Sequence, residues 1–171
     1  VLFTKKKAIS VATLKKLEKE LLDYDLANEL TVIYKSLKKL NINSPDYFQY
    51  SQLYNRHVAY MLAVDKAEDL LADYFKKYGD YMLNAGDAEK LGLVLLMKEM
   101  QNVAKLYESH RLYVYQSCMY IFHRLFVEVD DNMQQDGESI EDIFEKVQKI
   151  FESYHLDSIY YHMNLVFEFL K

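Results

Sequence analysis

Apolar side chains recur at steps of three and four along most of the chain, which is the spacing of helices that each bury one face. The clearest run lies between Leu91 and Val129. Its apolar positions form two series, Leu93, Leu96, Met100, Val103 and Tyr107 and then Leu112, Tyr115, Met119, Phe122, Phe126 and Val129. The five-residue step between the series turns the apolar face by about 140° beyond a full turn. We therefore predict two helices with a break near residues 108–111.

The second of these helices carries apolar residues on more than one face. Val114, Cys118, Ile121 and Leu125 lie away from its main series. Because a helix that is apolar on several faces is covered by neighbours on several sides, we predict that the other helices pack around this one.

Similar patterns, punctuated by capping residues, predict about eight helices in four antiparallel hairpins. The hairpins are predicted to start near Val11, Asp46, Ala88 and Ile140. The predicted N-terminal caps are Ser10, Asp25, Ser44, Asp65, Asp87, Ser139 with Asp142 three residues later, and Asp157. Gly79 is predicted to end or bend the fourth helix.

Composition supports an all-α fold in one domain. The 171 residues include 51% hydrophobic residues, one proline and four glycines. So little turn-forming material does not suit a sheet-rich fold, and a chain of this length buries one proper core. We expect a single domain over residues 1–171, compatible with its being part of a longer chain.

The hairpin predicted from Asp46 resembles one repeat of the tetratricopeptide family. Its matching apolar and small positions are Tyr54, Asn55, Val58, Ala67, Leu71 and Tyr74. Asn55 replaces a small residue of the family, and Gly79 stands where a proline is common. The resemblance implies a right-handed stack of hairpins whose concave face binds a peptide or a partner helix. An irregular helical bundle is the alternative architecture.

Charge is distributed unevenly. The chain through Pro45 has nine lysines and five acidic residues, and the remainder has twelve Lys and Arg against twenty-one Asp and Glu. A mostly acidic body argues against nucleic acid as the partner, because phosphate binding needs a basic face. His123 and Arg124 interrupt the most apolar stretch, so no membrane span is predicted. Cys118 is the single cysteine, and we expect a cytoplasmic protein.

The candidate residues for a metal site are Glu152, His155 and His162. Glu152 and His155 have the Glu-x-x-His spacing of di-iron bundles, but those sites use the motif twice and the chain contains it once. We therefore interpret these residues as ordinary polar side chains and predict no cofactor.

Tyrosine is unusually abundant, with sixteen residues and no tryptophan. Its ring suits a core or a groove, and its hydroxyl needs a polar partner. The candidate binding residues are Tyr107, Tyr113, Tyr115, Tyr120, Tyr160 and Tyr161. The competing interpretation is that these rings fill the edges of the core.

These patterns favour a non-enzymatic helical module that binds a protein or peptide through a tyrosine-rich groove. One alternative is the ligand-sensing domain of a bacterial transcriptional regulator without its DNA-binding part. A further alternative is a helical-bundle metal enzyme. A tyrosine-lined groove favours the first hypothesis, a closed apolar cavity the second and a bound metal the third.

Overall fold

The computed structural model describes residues 2–107, 109–127, 138–154 and 161–171, with side chains from residue 6 onward. Seven α-helices and no β-strand lie in these ranges, so the all-α prediction is confirmed. The helices are α1 (Leu2–Asp23), α2 (Ala27–Leu40), α3 (Tyr47–Asn84), α4 (Asp87–Leu106), α5 (His110–Phe126), α6 (Ile140–Ser153) and α7 (Tyr161–Leu170). Among the described residues, none of these helices combines the length and apolarity needed to cross a membrane.

The helices form two compact units, Val1–Leu62 and Ala63–Lys171, and α3 contributes residues to both. The single domain expected over the whole chain remains a prediction. In the first unit, α1 and α2 pack against each other and the start of α3 completes the core. The buried side chains are Leu30, Ile33, Tyr34 and Leu37 of α2 with Tyr50 of α3.

Tyr34 shows how this first core accommodates a phenol. Its ring is buried, and its hydroxyl donates a hydrogen bond of 2.7 Å to Glu18 Oε1 on α1. Burial, followed by the hydrogen bond to Glu18, raises the pKa of Tyr34. The hydroxyl therefore stays protonated and can keep donating to Glu18.

The second unit is built around α5. Eleven of its seventeen residues are buried, and α4, α6 and α7 each pack against it. The Ser109 side chain accepts a hydrogen bond from the Leu112 amide and so begins α5, whereas α4 ends at Leu106. Both the break near residues 108–111 and the central position of the second helix are confirmed.

A buried polar pair joins α5 to α3. The Tyr74 hydroxyl lies 2.8 Å from His123 Nδ1, and both side chains are inaccessible to solvent. Phe122 packs edge-on against Tyr74, Phe75 and Tyr78 of α3. Because buried polar groups are costly when unpaired, this hydrogen bond lets a histidine occupy the core beside an aromatic cluster.

The predicted boundary at Asp65 is wrong. A single helix, α3, runs for 38 residues, about 57 Å at 1.5 Å per residue. Asp65 is exposed on this helix, where an aspartate costs only a few tenths of a kcal/mol, and Val64 and Ala67 continue the buried face across it. The helix also continues through Gly79, and residues 54–74, which carry the tetratricopeptide resemblance, all lie on it. That resemblance remains a prediction.

Two other predicted caps are wrong. Ser10 lies inside α1, and its hydroxyl donates to the Lys6 carbonyl. Asp25 adopts a positive φ of 50° just after the end of α1 and does not cap α2, whose N-cap residue Leu26 makes no side-chain capping bond. A short polar side chain tolerates this left-handed conformation, which explains why an aspartate serves at a helix end.

The remaining ends follow the sequence more closely. Residues 84–86 form the predicted helix end and loop, with Ala85 in the left-handed conformation at φ 47°, but the N-cap of α4 is Gly86 and the predicted cap, Asp87, is the first residue of the helix. Ser139 and Asp142 form the predicted cap of α6, each side chain bonding the backbone amide of the other. The cap predicted at Asp157 lies outside the described residues.

Truncating the aromatic cluster tests the core. We expect Phe122→Ala to lower the free energy of unfolding by about 2–5 kcal/mol, because it leaves a cavity between α3 and α5. Phe169→Ala is the matched control, since that ring is 77% exposed and its loss is expected to cost less than about 0.5 kcal/mol. Chemical denaturation of the two variants measures both effects, and equal losses would contradict this core.

Ala85 has a left-handed backbone conformation, and a substitution there is expected to stabilise the protein. We expect Ala85→Gly to stabilise the protein by about 0.5–1 kcal/mol, because glycine has no Cβ to strain at positive φ. Ala72→Gly in the exposed middle of α3 is expected to destabilise by about 1 kcal/mol. Thermal unfolding compares the two, and destabilisation by both would show that residue 85 is not left-handed in solution.

Candidate functional site

An open groove lies beside α6 in the second unit. It has a volume of about 740 Å³ and is bordered by the end of α5, one side of α6 and the end of α7. Its apolar lining consists of Leu125, Ile140, Phe144 and Leu170, and its polar rim consists of Glu141, Glu145, Gln148, Lys149, Glu152 and Lys171. We call this feature the α6 groove.

The amphipathic sequence of α6 creates one wall of the groove. Ile143, Val147 and Phe151 recur at steps of four and are buried against the rest of the unit. Ile140 and Phe144 stand beside this buried face and are only partly covered. Two apolar side chains therefore remain available to the groove after α6 has packed.

The opposite wall comes from α7, which is apolar on two faces. Met163, Phe167 and Leu170 are buried, and the Phe167 ring lies edge-on to Phe144 and Phe151 of α6. These ring contacts hold α7 beside α6. A second series on α7, at Tyr161, Leu165 and Phe169, is more than half exposed.

A charged cluster fastens the start of α6 to α5. The Tyr113 hydroxyl donates to Glu138 Oε2 over 2.8 Å, and Lys146 Nζ donates to Glu138 Oε1 over 2.9 Å. The same ammonium lies 4.0 Å from the centre of the Tyr113 ring. Partial burial raises the pKa of the Glu138 carboxyl, but the hydrogen bonds from Lys146 and Tyr113 outweigh it, so the pKa is below its ordinary value.

The rim of the groove contains one internal ion pair. Lys149 Nζ lies 2.6 Å from Glu145 Oε1, one helical turn away, and this contact raises the pKa of Lys149. The Gln148 amide donates to Glu152 over 3.2 Å. Both partners of the ion pair are about two-thirds exposed, so the pair contributes little to stability but orders the charges along α6.

The structure directs the predicted tyrosines towards different neighbours. Tyr115 is buried and donates to Glu68 of α3 over 2.6 Å, Tyr113 reaches Glu138, and the buried Tyr120 lines a narrow crevice between α4 and α5. Tyr107 follows α4 and is half-buried, and Tyr161 is 58% exposed on α7. Tyr160 lies outside the described residues. The three tyrosines of α5 therefore face three helices and do not share one surface.

The structure describes two of the three candidate metal ligands. Glu152 is on the rim of the α6 groove, His162 is exposed on α7, and His155 lies outside the described residues. Within the described parts of the chain, no three His, Cys, Asp or Glu side chains come together in a way that could hold a metal ion.

Cys118 lies on α5 and packs in the core of the second unit. Its side chain is fully buried, and burial raises the pKa of the thiol to about 12. A thiol with a raised pKa is mostly protonated near neutral pH, which disfavours a role as a nucleophile.

Sequence reasoning did not identify the α6 groove. Leu125 belongs to the apolar positions of its helix, but nothing in the spacing of these positions indicates that α6 and α7 leave a space between them. The available signal was the sequence of α7, which is apolar around most of its circumference and so exceeds what one packed face requires.

The Tyr113 link to Glu138 makes a pH-dependent prediction. A carboxyl with a lowered pKa stabilises the fold above its ordinary pKa of 4.5, and this contribution is lost as the pH falls through the lowered value. We expect Tyr113→Phe to raise the titration midpoint of Glu138, measured by NMR of its carboxyl carbon. Tyr161→Phe is the control and should leave that midpoint in place. An unchanged midpoint in Tyr113→Phe would show that the phenol does not bind Glu138.

Comparison with known proteins gives no relative from which to transfer a function. No family model, no curated protein and no solved structure matches this chain. A functional assignment therefore depends on the geometry of the described residues.

Proposed function

We propose that this chain is a non-enzymatic interaction module that binds a helical segment of a protein partner in the α6 groove. The observation that carries the proposal is an open groove with an apolar lining and a charged rim between packed helices. Amphipathic helices bind other proteins by inserting apolar side chains at i, i+3, i+4 and i+7 into such grooves.

The dimensions of α6 suit this mode of binding. Its fourteen residues span about 21 Å, or nearly four helical turns. Ile140 and Phe144 lie one turn apart on the side that borders the groove, and Leu125 and Leu170 complete the apolar lining. A partner helix lying along α6 would find apolar contacts in the centre and charged groups at the edge, which is the usual anatomy of a protein interface.

The tyrosines have a different role in this proposal from the one expected from sequence. Tyr115 and Tyr120 are buried, so we assign them to packing of α5, and Tyr113 to the attachment of α6. The proposed contact surface consists of aliphatic and phenylalanine side chains. Tyr161 is exposed on α7 and remains a candidate for contact with the partner.

A small apolar ligand is the second candidate occupant. The groove volume of about 740 Å³ lies within the range of roughly 300–1,000 Å³ that is common for small-ligand sites. Such sites usually enclose most of the ligand, whereas this groove is open to solvent. Because the groove is open to solvent, a partner helix that lies across it is the favoured occupant.

We also propose a cytoplasmic location. The lone cysteine is buried as a protonated thiol, which suits a reducing compartment but does not require one.

A designed peptide provides a direct test. The probe is an 18-residue helix with leucines at i, i+3, i+4 and i+7 and with uncharged glutamine and serine elsewhere, labelled for fluorescence anisotropy. We expect saturable binding that Leu125→Glu weakens at least tenfold, because the substitution buries a carboxylate against the apolar face of the peptide. Leu125 is 43% exposed, so the change does not disrupt the core.

Leu95→Glu is the matched control. Leu95 lies on α4, is 57% exposed and does not line the groove. This variant should bind the peptide like the parent protein. Equal binding by all three proteins would contradict the proposed site, and absence of binding to the parent protein would contradict the proposed function.

A further inference from the structure

The charged side chains on the rim of the α6 groove indicate the charge of the partner. Resting on the proposed function, we infer that the helix bound there has basic residues beside its apolar stripe. The inference concerns the charge of the partner and is carried by the acidic side chains along α6.

Three glutamates form a ridge along the groove. Glu141, Glu145 and Glu152 are separated by four and seven residues, which places them within an arc of about 40° on one side of the helix. The ridge is about 16 Å long at 1.5 Å per residue. A partner helix lying along α6 therefore has this row of carboxylates beside it for about three turns.

In the described parts of the chain, one of the three glutamates is in a salt bridge and the other two are not. Lys149 pairs with Glu145 at 2.6 Å. Among the described residues, neither Glu141 nor Glu152 forms a salt bridge; Glu152 accepts a hydrogen bond from the neutral amide of Gln148 and has a weaker electrostatic attraction to Lys149. Lys171 is the other cation on the rim. The two glutamates stand near opposite ends of α6, so the unmatched negative charge is spread along the groove.

The net charge of the second unit also favours a basic partner. Residues 63–171 contain eleven Lys and Arg and twenty Asp and Glu, a net charge of −9. A field of this sign attracts a cationic segment and accelerates its association. It also repels an acidic helix with the same apolar stripe, so charge selects among helices that the apolar lining would accept equally.

The partner is thus expected to be an amphipathic helix with lysine or arginine on the flank that faces α6. Arginine suits the position better than lysine, because its planar guanidinium can bind a carboxylate through two hydrogen bonds. The binding of such a helix should weaken with salt, since these carboxylates are exposed and screened by counterions.

Three peptides that share the same apolar stripe distinguish the contribution of charge to the affinity from the contribution of hydrophobic contact. They are the neutral probe described above and two versions with arginine or glutamate at the flanking positions. At low ionic strength we expect the arginine peptide to bind roughly tenfold tighter than the neutral one, from about two exposed ion pairs. The glutamate peptide should bind more weakly than both, and the differences should shrink in 0.5 M NaCl.

Reversing the charges of the glutamate ridge tests whether these residues cause the preference for the arginine peptide. The double variant Glu141→Lys with Glu152→Lys should remove the preference for the arginine peptide over the neutral one and should improve binding of the glutamate peptide. The double variant Glu20→Lys with Asp23→Lys on α1 changes the net charge equally, and these residues do not line the groove. This control should keep the order of the three affinities.

The outcomes distinguish the two levels of the proposal. If the neutral peptide binds in a Leu125-dependent manner and the arginine peptide binds no tighter, the charge inference is overturned and the proposed function stands. If none of the peptides binds, the proposed function falls together with the inference. If the chain alone sediments as a dimer that Leu125→Glu dissociates, the groove belongs to a second copy, and the inference of a basic partner is overturned.

Discussion

The burial of α5 on nearly all sides is the constraint on which the second unit depends. A helix in that position cannot satisfy its polar side chains with water, so they must find partners in neighbouring helices. His123 does so with Tyr74, and Tyr115 does so with Glu68, both on α3. These contacts fix which face of α3 meets α5. The aromatic cluster around Phe122 fills the space beside them.

The α6 groove lies near the end of α5, where neighbouring helices no longer bury α5 on nearly all sides. Towards the end of α5, Leu125 and Phe126 are more than two-fifths exposed, and Leu125 borders the groove together with parts of α6 and α7. The Glu138 cluster holds α6 at its start, and the Phe167 ring holds α7 against α6. The contact with Phe167 occupies part of one lining ring, Phe144, and the remaining apolar lining of Leu125, Ile140 and Leu170 stays available to a partner.

Much of this fold follows from local sequence, and the exceptions have physical causes. The break before α5 was predictable from the five-residue step between two apolar series, and the cap of α6 from Ser139 with Asp142 three residues later. The continuity of α3 was missed because Asp65 resembles a cap, although burial of Val64 and Ala67 outweighs its weak helix propensity. The roles of Tyr113 and Tyr115 depend on partners 25 and 47 residues away, which periodicity cannot reveal. For the same reason, the groove became visible only once α5, α6 and α7 were packed.

The most direct measurement is a methyl NMR titration of the whole protein with the unlabelled arginine-flanked peptide. The account predicts that shift changes concentrate on the methyl groups of Leu125, Ile140 and Leu170, which line the groove, with little change at Leu91 and Leu95 on α4. Shift changes centred on α4, or on Leu165 of α7 with the groove methyl groups unmoved, would contradict it.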